Sequence, residues 1–164
     1  MAQSFTIGSI LATTDGRGRK FGGIIDGTPK PGTVMQVKAA TEPVNGKYTW
    51  EVYNQAADGN MPQGPITVLL EDYLQGKTIS DAYVSGTLGN LYCPLAGDML
   101  LMLMLDVAGT GDTRAIGDKY MVDDGTGLLV ATTGTPESEP FVLMETFAAL
   151  TADTLGLFMY AGGS

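Results

Sequence analysis

Apolar residues recur along this chain in short runs that either alternate with polar residues or fill the run completely. Glycine, proline, asparagine or aspartate closes nearly every run. Lys47-Tyr48-Thr49-Trp50-Glu51-Val52-Tyr53 alternates, with Tyr48, Trp50 and Val52 on one face and Thr49, Glu51 and Tyr53 on the other, which predicts a half-buried strand. Val34 to Ala39 alternates in part, and Pro43-Val44-Asn45-Gly46 between the two runs predicts a type I′ hairpin turn. Ile116 to Val122 and Leu128 to Ala131 flank Asp123-Asp124-Gly125-Thr126-Gly127. This predicts a second hairpin, turning at Gly125 or Gly127, where positive φ costs little. Ile66 to Leu70, Phe141 to Phe147 and Leu155 to Tyr160 add strands. Met99 to Leu105 is seven apolar residues without alternation, which predicts a central strand buried on both faces. Helical turns are suggested only at Leu70 to Leu74 and Thr146 to Asp153. The pattern predicts an all-β chain, a small barrel or sandwich.

Some of this order occurs twice. Val68-Leu69-Leu70-Glu71-Asp72-Tyr73 lines up with Val142-Leu143-Met144-Glu145-Thr146-Phe147, each after a proline (Pro65, Pro140). Pro31 to Val37 lines up with Ile116 to Val122, and Asp81 to Gly86 with Thr154 to Gly162. Two readings fit: a duplication with halves 33–93 and 94–164, or the strand and turn grammar that any all-β chain repeats.

Charge divides the chain. Residues 1–47 carry six basic side chains against three acidic ones, and residues 48–164 carry three against fifteen, within a net charge of −9. An acidic body repels nucleic acid and anionic membranes, since both are bound by cations that neutralise phosphate. The longest apolar run is far short of the roughly 20 residues a membrane-spanning helix needs. The first residues lack the basic start and apolar core of a secretory signal, so synthesis in a cytoplasm is expected. Residues 1–32 hold seven glycines and two prolines around Gly16-Arg17-Gly18-Arg19-Lys20-Phe21-Gly22-Gly23, which reads as a basic arm without a fold of its own. The single β domain is then 33–164. Arg17, Arg19, Lys20 and Phe21 become the candidate contacts to an acidic partner surface.

Chemistry is scarce. There is no histidine, so the usual general base at neutral pH is missing, and the one cysteine, Cys93, reads as a small apolar residue between Tyr92 and Pro94. The acid pairs Glu71/Asp72 and Asp123/Asp124 are strand neighbours that point to opposite faces, and Asp58 with Asn60 lacks the further ligands of a calcium loop. The glycines of Ala108 to Thr113 lack the lysine of a phosphate loop. Neither enzyme activity, nor a cofactor, nor a metal is expected. Met99, Leu101, Leu103, Leu105 and Phe158 offer more apolar surface than one domain readily covers, and form the candidate interface of a homotrimer.

Gly32 with its following strand, Gly97-Asp98-Met99, Ile116-Gly117-Asp118-Lys119-Tyr120-Met121-Val122-Asp123, Gly125-Thr126-Gly127 and the closing Leu157-Phe158-Met159-Tyr160 are similar to the capsid decoration (cement) proteins of tailed bacteriophages. That resemblance, over about residues 30–160, implies a β-barrel or β-tulip. It also implies trimers on the outer capsid surface of the virion, an N-terminal arm on the major capsid protein, and no catalytic residues. The alternative from another class is a phage tail or fiber module that recognises glycans through Trp50, Tyr48, Tyr53 or Tyr83.

Overall fold

The Asn-Gly turn forms as the sequence predicts: Asn45 and Gly46 both have positive φ (52° and 73°), and Val44 and Lys47 exchange backbone bonds of 2.9 and 3.0 Å. Around it, the computed structural model describes residues 18–38, 41–54, 66–105, 113–131, 141–147 and 153–162. They carry ten strands and, at Tyr73–Gln75, one turn of 3₁₀ helix. The strands are β1 (Arg19–Ile25), β2 (Val34–Val37), β3 (Thr49–Val52), β4 (Thr67–Leu69), β5 (Leu88–Cys93), β6 (Met99–Met104), β7 (Lys119–Val122), β8 (Leu129–Ala131), β9 (Phe141–Leu143) and β10 (Thr154–Tyr160). They close into two small barrels, β1-β3-β2-β4-β5 and β10-β6-β8-β7-β9.

The two barrels have one topology. In each, the first strand runs parallel to the third and every other pairing is antiparallel. The correspondence holds to the single backbone bond. Gly32 N donates to Leu69 O and Gly117 N to Leu143 O (2.8 and 2.9 Å); Leu70 N donates to Asn90 O and Met144 N to Leu157 O (both 2.8 Å). Asp26 N donates to Trp50 O and Leu105 N to Leu129 O (2.7 and 2.8 Å). On this register β1 matches β6, β2 matches β7, β3 matches β8, β4 matches β9 and β5 matches β10. The two copies are therefore 19–93 and 99–160.

Their interiors correspond too. Ile25, Met35, Trp50, Leu69 and Leu91 fill the first barrel where Met104, Tyr120, Leu129, Leu143 and Phe158 fill the second, all buried. Where one position gains bulk, another gives it up. Gly23 stands where the second barrel has Met102, because Trp50 occupies the space: a Cβ on Gly23 would lie 2.3 Å from the indole ring. Such exchange at fixed volume keeps a core dense.

Three expectations are corrected here. Residues 19–25 are not part of an arm, since β1 pairs with β5 from Arg19↔Cys93 to Ile24↔Leu88 and with β3 as well. Among the glycines that read as disorder, Gly23 is the small position that lets Trp50 and Leu91 pack across the strand, and Gly18 leaves room for the Tyr92 ring. The partner of β10 in the repeat is β5, not Asp81 to Gly86, which is turn and loop with Tyr83 buried. Finally, β6 is covered within the chain. Leu100, Met102 and Met104 point into the second barrel, and Leu101 belongs to the same buried cluster as Val34, Val68, Leu70 and Tyr92 on the outside of the first. Leu103 N donates to Gly32 O (3.2 Å), Val34 N to Gly127 O (2.8 Å) and Gly125 N to Tyr53 O (3.0 Å), so backbone bonds also join the barrels.

Candidate functional site

Five aspartates of the described segments, Asp72, Asp81, Asp98, Asp118 and Asp123, are used to build turns. Leu95 N donates to the Asp98 carboxylate and Asp98 N returns the bond to Leu95 O; Ala115 with Asp118, and Thr78 with Asp81, do the same. In two of these turns the residue before the aspartate is a glycine of positive φ, Gly97 (95°) and Gly117 (96°). This is the physical content of the recurring Gly-Asp that precedes β6 and β7. Asp72 likewise accepts from Leu74 N and from the Gln75 side chain, and Asp123 from Thr126 Oγ1. A carboxylate held by its own turn is poorly placed for acid and base work. Among the described residues no three His, Cys, Asp or Glu side chains gather as metal ligands would.

Asp98 does more than cap a turn. Buried where the barrels are linked, its Oδ2 accepts from the Tyr92 hydroxyl at 2.5 Å, and that hydroxyl in turn accepts from Gly18 N at 2.8 Å. Burial, and then the bond to Asp98, push the Tyr92 phenol up to about 12, because the phenolate would lose its water and face a carboxylate. Sequence reading missed this joint. The signal was present: a tyrosine and an aspartate six residues apart across a proline-containing link.

The charged contacts lie on the first barrel. Arg17 falls outside the described residues, Arg19 and Lys20 are exposed on β1, and Phe21 packs against Trp50 (ring centroids 5.3 Å) as part of the barrel's interior. Lys47 joins them: its Nζ lies across β1, 3.1 Å from where a Cβ on Gly22 would stand. Among the described residues no carboxylate forms an ion pair with Arg19, Lys20 or Lys47, whereas Lys38 is paired with Asp26 at 2.5 Å. Hydrogen bonds from Lys38 and Ser85 hold the Asp26 carboxyl below the usual range.

The proposed trimer residues separate. Phe158 and Leu101 are core, and Met99, Leu103 and Leu105 are half-buried on the strand that the first barrel flanks. They are therefore not a free apolar patch. The glycan reading fares worse, since Trp50, Tyr53 and Tyr83 are buried and only Tyr48, 54% exposed, is open to a sugar. Cys93 is half-buried, and burial pushes its thiol up.

No protein-family model matches the sequence, and no curated protein is significantly similar to it. The fold is shared with a solved structure, the N base of the head fiber gp8.5 of bacteriophage phi29. That alignment has a TM-score of 0.52 and 10% identity, and it covers 90% of this chain and 97% of the other.

Proposed function

We propose that this chain is a structural, non-enzymatic protein of a tailed-phage virion that attaches to the outer surface of the head and bridges neighbouring capsid subunits as a decoration protein. The observation that carries this reading is the tandem-barrel fold, which nearly the whole chain shares with a head-fiber base. The sequence resemblance to decoration proteins points the same way, and two of its motifs, Gly97-Asp98 and Gly117-Asp118, form the turns at strand entries.

The partners on this reading are the major capsid protein and further copies of the chain in a homotrimer, with neither nucleic acid nor membrane involved. Arg19 and Lys20 contact the head from the rigid rim of the first barrel, with Arg17 just before them. Preorganised cations bind without an ordering cost of their own strand, and their attraction is screened by salt, with a Debye length of about 8 Å at physiological ionic strength.

The test is to mix purified protein with undecorated heads, pellet them, and count bound copies by cryo-electron microscopy. Saturable occupancy that falls as salt is raised is expected, and falls further in Arg19→Glu/Lys20→Glu. Heads that stay bare at tens of micromolar protein overturn the reading.

A further inference from the structure

The repeat leaves one interface of the chain unmatched. Within the chain, the outer face of β2-β4-β5 (Val34, Val68, Leu70, Tyr92) is buried against the second barrel. By the register above, the equivalent face of the second barrel is Lys119, Val142 and Met159 on β7-β9-β10, in one row across the sheet where Lys119↔Val142 and Met159↔Val142 pair, with Met144 just past the end of β9. That face is open: Lys119 is exposed, the other three are half-buried, and Met121 beside them is 42% exposed.

The surface that such a face would cover is open as well. In the second barrel the flanked surface is the outside of β6 and β10, which carries Leu101, Leu103, Leu155 and Leu157. Its counterparts outside β1 and β5 are Gly22, Ile24, Leu88 and Asn90. Ile24 and Leu88 keep the apolar character of Leu103 and Leu155, and Leu88 is 47% exposed. Around them stand Lys20 and Lys47. Charge does not drive the contact: residues 1–93 hold seven basic and eight acidic side chains and residues 94–164 two and ten, but the charges at the two faces are lysines, Lys119 on one and Lys20 and Lys47 on the other. The contact rests on the repeat and on the apolar residues.

We propose that the β7-β9-β10 face of one copy docks on the β1-β5 face of the next, repeating between chains the packing that joins the barrels within one. The contact is heterologous, so it closes into a ring or runs on as a filament. It lacks at least one backbone bond of the internal joint. Ile24 N is already bonded to Tyr48 O (3.0 Å), whereas its counterpart Leu103 N is the donor to Gly32 O across the barrels. The intermolecular contact is therefore weaker than the internal one and depends on concentration. It rests on the self-association in the preceding reading, not on head binding.

The experiment uses the full chain without heads, by sedimentation from 1 to 100 micromolar, with Leu88→Glu and Val142→Glu. Wild type is expected to assemble as concentration rises. Each variant alone should remain monomeric with a melting temperature close to wild type. Because each variant retains one intact half of the interface, their mixture should form a one-to-one pair and stop there. If Val142→Glu melts early, Met121→Glu takes its place. A wild type that is monomeric throughout, a Leu88→Glu protein that assembles normally, or two folded variants that do not pair would each overturn the proposal. Assembly without head binding would sink the head reading alone; head binding by a monomer would sink this one alone.

Discussion

Tyr83 and Tyr92 show what single residues contribute. Each is buried with its hydroxyl satisfied, Tyr83 donating to Leu70 O at 2.9 Å and Tyr92 to Asp98, and burial first of all pushes both phenols up to about 12 from the ordinary 10.0. A phenol whose folded pKa exceeds its unfolded one contributes stability that is complete below the unfolded value. That stability is lost as pH rises through the folded value. The protein should therefore hold its melting temperature up to pH near 10 and lose it steeply between 10 and 12, which thermal melts across that range will check. Tyr92→Phe removes one of the two contributions and leaves the Asp98 carboxylate short of a donor. It should lower stability by about 2 kcal/mol at neutral pH and flatten the alkaline loss.

Among the elements, the turns decide most. The hairpin between β7 and β8 carries two glycines of positive φ, Gly125 (84°) and Gly127 (65°), with different surroundings. A Cβ on Gly125 meets nothing within 4 Å, so Gly125→Ala should cost only the left-handed backbone, about 1 kcal/mol. On Gly127 it would stand 2.5 Å from Val34 O and 2.9 Å from Val52, in the backbone contact that joins the barrels. Gly127→Ala should therefore cost about 3 kcal/mol or more, and denaturant melts of the two variants will tell whether this hairpin is a lock between barrels or a free turn.

For the molecule as a whole, the repeat sets what can be removed. Since β1 closes the first barrel, a protein that begins at Gly18 keeps every pairing of β1 with β5 and β3 and is the reference for a shorter one. One that begins at Ile24 loses most of the pairing with β5 and should melt far lower. Equal stability of the two truncations would mean that the first barrel does not need β1. Both barrels hide an apolar interior, so acid and base are distributed only over their outsides, and the acidic excess falls on the second.

Hairpin turns, strand alternation and the two-sided burial of Met99 to Leu105 were legible in the sequence, because each depends on neighbours a few residues apart. So were the matches of Val68 to Tyr73 with Val142 to Phe147 and of Pro31 to Val37 with Ile116 to Val122, where glycine and strand occupy equal places in both barrels. What covers Met99 to Leu105 was not legible: an apolar face looks the same in sequence whether a second barrel or a second chain buries it. The first strand was hidden for a related reason. Gly22 and Gly23 signal flexibility locally, yet the indole of Trp50, 27 residues on from Gly23, needs the space that a side chain there would take. The sequence by itself thus determined which segments pair as local hairpins and which carry a buried face. Only the tertiary structure decided what lies against that face, because this depends on volume and register contributed from the far end of the chain.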